Sequence, residues 1–78
     1  MTPNLKAELT RDNIDERKIS ALIKKNTATI RSKIDGSGDF SRREMFAIRD
    51  ALYPRFSLDY LFDEIPRLPK PKDILDTA

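Results

Sequence analysis

The spacing of helix start and stop signals limits this chain to short helices. Residues that favour the helix N-cap precede short apolar stripes five times along the 78-residue chain, and no run has the alternation of a strand. Gly36 and Pro54 follow the third and fourth stripes and end them. The five start signals are Thr2-Pro3, Asp15, Asn26, Ser41 and Ser57. The pattern therefore predicts an all-α chain of five short helices.

Each start signal has local support. Pro3 suits the first helical position, Ile14 and Ile19 have the spacing of a hydrophobic staple, and Ser41 and Glu44 have that of a capping box. The first helix is expected to end near Arg11, and the fifth to be a short turn over residues 58–62. The predicted core residues are Leu5, Leu9, Ile19, Leu22, Ile23, Ile30, Ile34, Met45, Ile48, Ala51, Leu52, Leu58, Leu61 and Phe62.

The last part of the chain differs in composition from the rest. Residues 63–78 hold Pro66, Pro69 and Pro71 and few apolar side chains, which is typical of an extended tail. A chain of this length forms one domain at most. We expect a helical domain over residues 1–62 and a Pro-containing extended tail over residues 63–78.

The residue types that are missing exclude most enzyme chemistry. The chain has no Cys and no His, which removes thiolate nucleophiles, the usual proton shuttle at neutral pH and the commonest metal ligands. The loop from Asp35 to Asp39 lacks the Gly and Glu that a calcium loop needs at its sixth and twelfth positions. We predict no catalytic, metal or cofactor-binding residues and no small-molecule substrate.

The chain also lacks membrane signals. No apolar run approaches the roughly 18 residues that a membrane span needs, and Met1 to Asn4 lack the layout of a signal peptide. We therefore expect a cytoplasmic protein without a membrane partner.

Positive charge is concentrated in the first half of the chain. The net charge is only +2, from 15 Lys and Arg and 13 Asp and Glu. The stretch from Lys24 to Lys33, however, carries Lys24, Lys25, Arg31 and Lys33 and no acidic residue. A local cluster of this kind favours a nucleic-acid partner more than the net charge does.

Residues 15–35 have the pattern of a helix-turn-helix, in which one helix braces a second across shared apolar contacts. On the second of these helices Ile30 and Ile34 point one way, and small or polar side chains point the other. We call this second side the polar face; it comprises Ala28, Arg31, Ser32 and Asp35, with Thr27 at its edge. Small residues let a helix enter the major groove of DNA, where Arg31 would reach base edges while Lys24, Lys25 and Lys33 contact phosphates.

The runs over residues 14–23 and 26–36, with Phe40-Ser41 to Glu44 and residues 57–62, resemble phage-repressor-type (XRE-like, Cro-like) helix-turn-helix proteins. The resemblance covers residues 4–62. It implies a compact five-helix, lambda-repressor-like domain that binds double-stranded operator DNA, usually as a dimer. It also implies base contacts by Thr27, Ala28, Arg31 and Ser32, and backbone contacts by Arg17, Lys24, Lys25, Asn26 and Lys33.

Three residues depart from that family. Ser20 stands where the family frequently has Ala in the middle of the second helix, which is a mild change. Glu16 stands where the family commonly has a Gln that contacts a phosphate, and its charge would repel one. Lys24 replaces the usual Gly of the turn, where a left-handed backbone would cost about 1 kcal/mol or more.

The sequence leads to one main hypothesis and leaves alternatives open. The main one is a sequence-specific DNA-binding transcriptional regulator of phage or prophage type, with residues 27–35 as its recognition helix. A homodimer contact through partly exposed aromatic residues near Tyr53, Phe56 and Tyr60 would suit it. Glu16 and the low net charge favour a protein-interaction module instead, such as an antirepressor or repressor modulator. A weaker alternative is a fragment of a larger regulator.

Overall fold

A computed structural model describes residues 1–74, and in them it places five α-helices and one 3-10 turn but no strand. The helices are α1 (Pro3–Arg11), α2 (Glu16–Ile23), α3 (Thr27–Asp35), α4 (Arg42–Leu52) and α5 (Leu58–Leu61), and the 3-10 turn is Pro71–Asp73. The all-α class, the number of helices and their order are confirmed.

Four of the five predicted N-caps act through their side chains. These bonds join Arg17 N–H to Asp15 Oδ1 (2.9 Å), Thr29 N–H to Asn26 Oδ1 (2.8 Å), Glu44 N–H to Ser41 Oγ (3.2 Å) and Tyr60 N–H to Ser57 Oγ (3.1 Å). The capping box is complete, because Ser41 N–H donates back to Glu44 Oε1 at 2.8 Å. Each bond satisfies an N–H group that has no partner within its helix.

Thr2 differs from this expectation. It precedes α1, but its hydroxyl makes no cap hydrogen bond. Its backbone N–H instead donates to the carbonyl oxygen of Ile34 at 2.9 Å, which ties the start of α1 to the last turn of α3. Pro3 begins α1 without a capping side chain, because its ring already sets a helical backbone angle.

One apolar core joins all five helices. Its buried members are Leu5, Leu9, Ile19, Ile30, Ile34, Phe40, Ile48, Tyr53, Tyr60 and Leu61. Leu22 and Ala51, which the apolar pattern placed in the core, are exposed instead. A short helix buries a narrow stripe, and residues at its edge stay in contact with water.

Residues 63–74, where the composition predicts an extended tail, fold back onto α1 and α5. The buried side chain of Asn4 donates to the carbonyl oxygens of Tyr60 and Ile65, both at 3.0 Å, and accepts from Arg67 N–H at 2.9 Å. Phe56 and Ile74 form an antiparallel bridge. Polar contacts hold this segment, so its low apolar content did not reveal it. The rest of the expected tail, residues 75–78, lies outside the described residues.

Asp73 is the centre of these polar contacts. Its buried carboxylate accepts from Arg67 Nη1 at 2.5 Å, Lys70 N–H at 2.9 Å and Ser57 Oγ at 2.9 Å. The Arg67 side chain and the Lys70 backbone hold the pKa of Asp73 well below its usual range. Arg67 also bonds Asp63 through Nε at 3.1 Å. The buried charge of Asp73 is therefore satisfied by hydrogen bonds to both of its oxygens.

The aromatic residues expected at a dimer contact lie mostly in the core. Tyr53 is 5% exposed and Tyr60 is 1% exposed, while Phe56, between their rings, is half-buried. Tyr60 OH donates to the buried carboxylate of Glu8 at 2.6 Å, and burial together with Glu8 raises the pKa of Tyr60 to about 12. Tyr53 and Tyr60 therefore offer no surface to a second copy.

Within residues 1–74, the length and apolarity that crossing a membrane would require are found in none of the helices.

Candidate nucleic-acid interface

The connection between α2 and α3 is a tight turn over residues 24–26. Lys24 adopts the left-handed conformation, with φ 57° and ψ 44°. Lys25 N–H donates to the carbonyl oxygen of Ser20 at 3.2 Å, and the Ser20 hydroxyl donates to the carbonyl oxygen of Lys25. Asn26 then caps α3. The turn thus follows directly on α2. Lys24 has the left-handed backbone conformation that is expected to cost stability at this position.

The two sides of α3 differ as the apolar spacing predicts. Ile30 and Ile34 are buried, at 0% and 2% exposure, against α1 and α2. Ala28, Arg31 and Ser32 are exposed, and Thr27 is half-buried. The polar face therefore lies on the surface of the molecule, with no bulky side chain at its start.

Arg31 is the longest donor on the polar face. Its side chain is 68% exposed, and its Nε donates to Glu16 Oε2 at 3.1 Å. Glu16, at the start of α2, is 30% exposed. The negative charge expected to repel a phosphate is therefore paired with the arginine expected to read bases.

The acidic residue of the polar face itself, Asp35, is also paired. Asp35 lies in the last turn of α3 and accepts from Lys6 Nζ of α1 at 2.6 Å. Because a helix C-terminus already carries partial negative charge, this cation offsets both the carboxylate and the helix end. The pair has no net charge, so the C-terminal end of the polar face is not strongly acidic.

Three of the expected backbone-contact residues carry exposed cations, two of them in the turn and one at the start of α2. Lys24 and Lys25 are exposed, and Arg17, 80% exposed, bonds Asp15 Oδ2 at 3.1 Å through Nη2. Hydrogen bonds from the backbone and side chain of Arg17 hold the pKa of Asp15 below its ordinary value. Asn26 is exposed as well, but its side-chain oxygen is used in the cap.

Lys33 is placed differently from the expectation. Its ammonium donates to Glu44 Oε1 at 2.9 Å and to the carbonyl oxygen of Asp39 at 3.1 Å, and it lies 5.7 Å from the centre of the Phe40 ring. Only 17% of its side chain is exposed. Lys33 therefore joins α3 to α4, and it is not free to contact a phosphate.

The ion pair with Lys33 also affects Glu44, which is 12% exposed. Burial, the largest influence, would raise the pKa of Glu44. The hydrogen bond from the Ser41 backbone and the bond and charge of Lys33 outweigh it, so the pKa lies below its ordinary value.

Arg43 is a cation near the turn that the sequence reasoning missed. It lies in α4 and is exposed, and it lines a groove of about 520 Å³ together with Lys24 and Lys25. The remaining lining residues are Leu22, Ile23, Ser41, Glu44 and Ala47. The only sequence signal was the Arg42-Arg43 pair after the Ser41 cap, which is separated from the turn along the chain.

The described residues contain no group of three or more His, Cys, Asp and Glu that could hold a metal ion.

No protein-family model, curated protein or solved structure matches the chain. The resemblance to phage-repressor-type proteins therefore stays a prediction, and what can be inferred about function depends on the geometry of α2 and α3.

Proposed function

We propose that this chain is a sequence-specific DNA-binding regulator that places the polar face of α3 in the major groove of double-stranded DNA. The observation that carries the proposal is the exposure of Arg31, Ala28 and Ser32 on a helix whose opposite side is buried. A major groove about 12 Å wide admits one helix, and small residues at its start allow close approach. Thr27, Ala28, Arg31 and Ser32 would then face base edges.

The ion pair between Arg31 and Glu16 does not prevent this role. An exposed ion pair typically contributes about 0–1 kcal/mol, because water and salt screen it. A good bidentate contact between arginine and guanine contributes about 1–3 kcal/mol of discrimination. The base contact is thus the stronger of the two, so the ion pair does not keep Arg31 from a base.

Arg17, Lys24, Lys25 and Arg43 would supply the contacts that do not depend on sequence. Each exposed cation that neutralises a phosphate releases a counterion and makes affinity depend on salt. Lys24 and Lys25 lie at the start of α3, where contacts of this kind set the register of a recognition helix.

The test is selection of bound sequences from random DNA duplexes, followed by affinity measurements on the selected site and on random duplex at several salt concentrations. Arg31→Ala should lose about 1–3 kcal/mol on the selected site and relax preference at one base pair. Lys25→Ala should weaken binding to both duplexes equally. It should also reduce the slope of log affinity against log salt concentration by about 1. Equal losses on both duplexes for Arg31→Ala would refute base readout.

A dimer would give the selected sites a recognisable form. Two copies of α3 reading one face of DNA lie about 34 Å apart, so the selected sites should be near-palindromes with that spacing. A single, asymmetric half-site would indicate binding as a monomer.

A protein-interaction module remains the second candidate, because acidic groups surround Arg31. Asp15 and Glu16 lie at the start of α2 and Asp35 on the polar face itself, so phosphates approaching this side meet carboxylates as well as cations. Salt-insensitive, negligible binding to all duplexes would favour this candidate, which includes an antirepressor or a repressor modulator.

A further inference from the structure

We infer that Glu16 positions Arg31 for base readout, by holding the guanidinium through Nε so that its two terminal nitrogens face outward. The inference rests on the proposed function, and it assigns a second residue to the same site. Glu16 would not touch DNA; it would act through Arg31.

The pattern of the bond supports this assignment. A guanidinium is a rigid plane with one N–H on Nε and four on the terminal nitrogens. Glu16 Oε2 takes the Nε–H at 3.1 Å, and within residues 1–74 neither terminal nitrogen has a hydrogen-bond partner. Two parallel donors, one from each terminal nitrogen, match the O6 and N7 acceptors of guanine. Glu16 binds the Nε edge of the guanidinium, and a base contact through the two terminal nitrogens does not use that N–H.

Glu16 is itself held in place. It is the first residue of α2, next to the Asp15 cap, where the partial positive charge of the helix terminus stabilises a carboxylate. Ile19, on the next turn of α2, is fully buried, and α2 packs directly on α3. The distance between the backbone of Glu16 and that of Arg31 is therefore set by the core.

The benefit of such an arrangement is preorganisation. A free arginine side chain samples many rotamers and loses that freedom when it binds a base. An ion pair that holds one orientation in the free protein reduces the loss on binding, even if the pair adds little to folding stability.

Glu16 should also weaken binding that does not depend on sequence, since its carboxylate repels phosphates. Positioning and repulsion therefore change affinity in opposite directions on the selected site, but only repulsion acts on random duplex. The ratio of the two affinities separates the effects.

The experiment uses the full chain with Glu16→Ala, Arg31→Ala, the double variant, and Glu64→Ala as a control that removes one exposed negative charge elsewhere. Affinities are measured on the selected site and on random duplex at fixed salt. Glu16→Ala, which removes the acceptor of the Arg31 Nε–H, should bind random duplex more tightly and lower the affinity ratio roughly three- to ten-fold. In the Arg31→Ala background it should leave the ratio unchanged, and Glu64→Ala should do the same in the native background.

A second measurement needs no DNA. The Nε–H resonance of Arg31 in the free protein should move and exchange faster with water in Glu16→Ala, while thermal unfolding shows that the variant is folded. An unmoved resonance, an unchanged ratio, or an equal fall in both backgrounds would overturn the positioning role and leave the proposed function standing. If the native chain selects no sequence, the proposed function fails together with the inference.

Discussion

Lys24 has a backbone conformation that is unfavourable for a lysine. Its φ of 57° lies in the left-handed region, where the Cβ of any L-residue crowds the following carbonyl. Within residues 1–74 the other residue with positive φ is Asn13, a type that tolerates this region because its short side chain can bond locally. Lys24 has no such compensation, so its cation is kept at the turn at a cost in stability.

Lys24→Gly should therefore stabilise the fold by about 1 kcal/mol, because glycine enters the left-handed region without a steric penalty. Urea unfolding followed by circular dichroism measures the change. Lys25→Gly is the matched control, since Lys25 does not have positive φ, and there the added freedom of the unfolded chain should lower stability. Equal effects of the two variants would contradict the argument.

At the scale of helices, Glu44 joins two of them. Its carboxylate completes the cap of α4 through Ser41 N–H and also accepts from Lys33 of α3. The sequence predicted the first contact and not the second. A cap depends on residues three apart and can be found from local spacing, whereas the bond to Lys33 depends on how α3 and α4 pack.

Glu44→Gln separates these two contacts, because its side-chain oxygen can still cap α4 but has no charge for Lys33. We expect a loss of about 1–2 kcal/mol at neutral pH, since a partly buried ammonium loses its charged acceptor. Ser41→Ala, which removes a cap and keeps the ion pair, should cost about 1 kcal/mol. Urea unfolding checks both values.

The two variants should also differ in acid. The pKa of Glu44 is lowered in the folded state from an ordinary value of 4.5, so its contribution is present above that pH and is lost as the pH falls below it. Glu44→Gln should lack this part of the acid dependence, and Ser41→Ala should keep most of it. Identical acid dependence of Glu44→Gln and the native chain would show that the charge of Glu44 contributes nothing.

The same distinction between local and distant partners explains how far the sequence predicted the site. Apolar spacing placed Ile30 and Ile34 inside and Arg31 outside, because a helix has a fixed period. The pairing of Arg31 with Glu16 joins two helices, so the spacing within either helix does not predict it. Lys33 was expected to be free, since a sequence does not show which cation a neighbouring helix will take.

On the scale of the whole molecule, residues 63–74 connect the first helix to the last through hydrogen bonds. Asn4 in the first turn of α1 bonds to both Ile65 and Arg67, so the beginning of the fold and the segment after α5 stabilise each other. Composition suggested a domain ending at residue 62, because it registers apolar content and not buried hydrogen bonds. A small core gains much from such contacts, since few other residues can provide them.

Removing the charge of Asp73 tests whether the contacts of residues 63–74 stabilise the fold. In Asp73→Asn the Arg67 guanidinium loses one of its two charged acceptors and keeps Asp63, and the bond from Ser57 N–H to the Asp73 carbonyl, 2.7 Å long, should open more often. We expect a lower urea midpoint and roughly ten-fold faster hydrogen exchange at Ser57.

Because the pKa of Asp73 is lowered in the folded state from 3.8, its stabilisation should be full above that pH and decline below it in the native chain, but not in the variant. Lys72→Ala, an exposed change in the same 3-10 turn, should leave both quantities near their native values. If Asp73→Asn behaves like Lys72→Ala, residues 63–74 only lie against the helices and do not stabilise them.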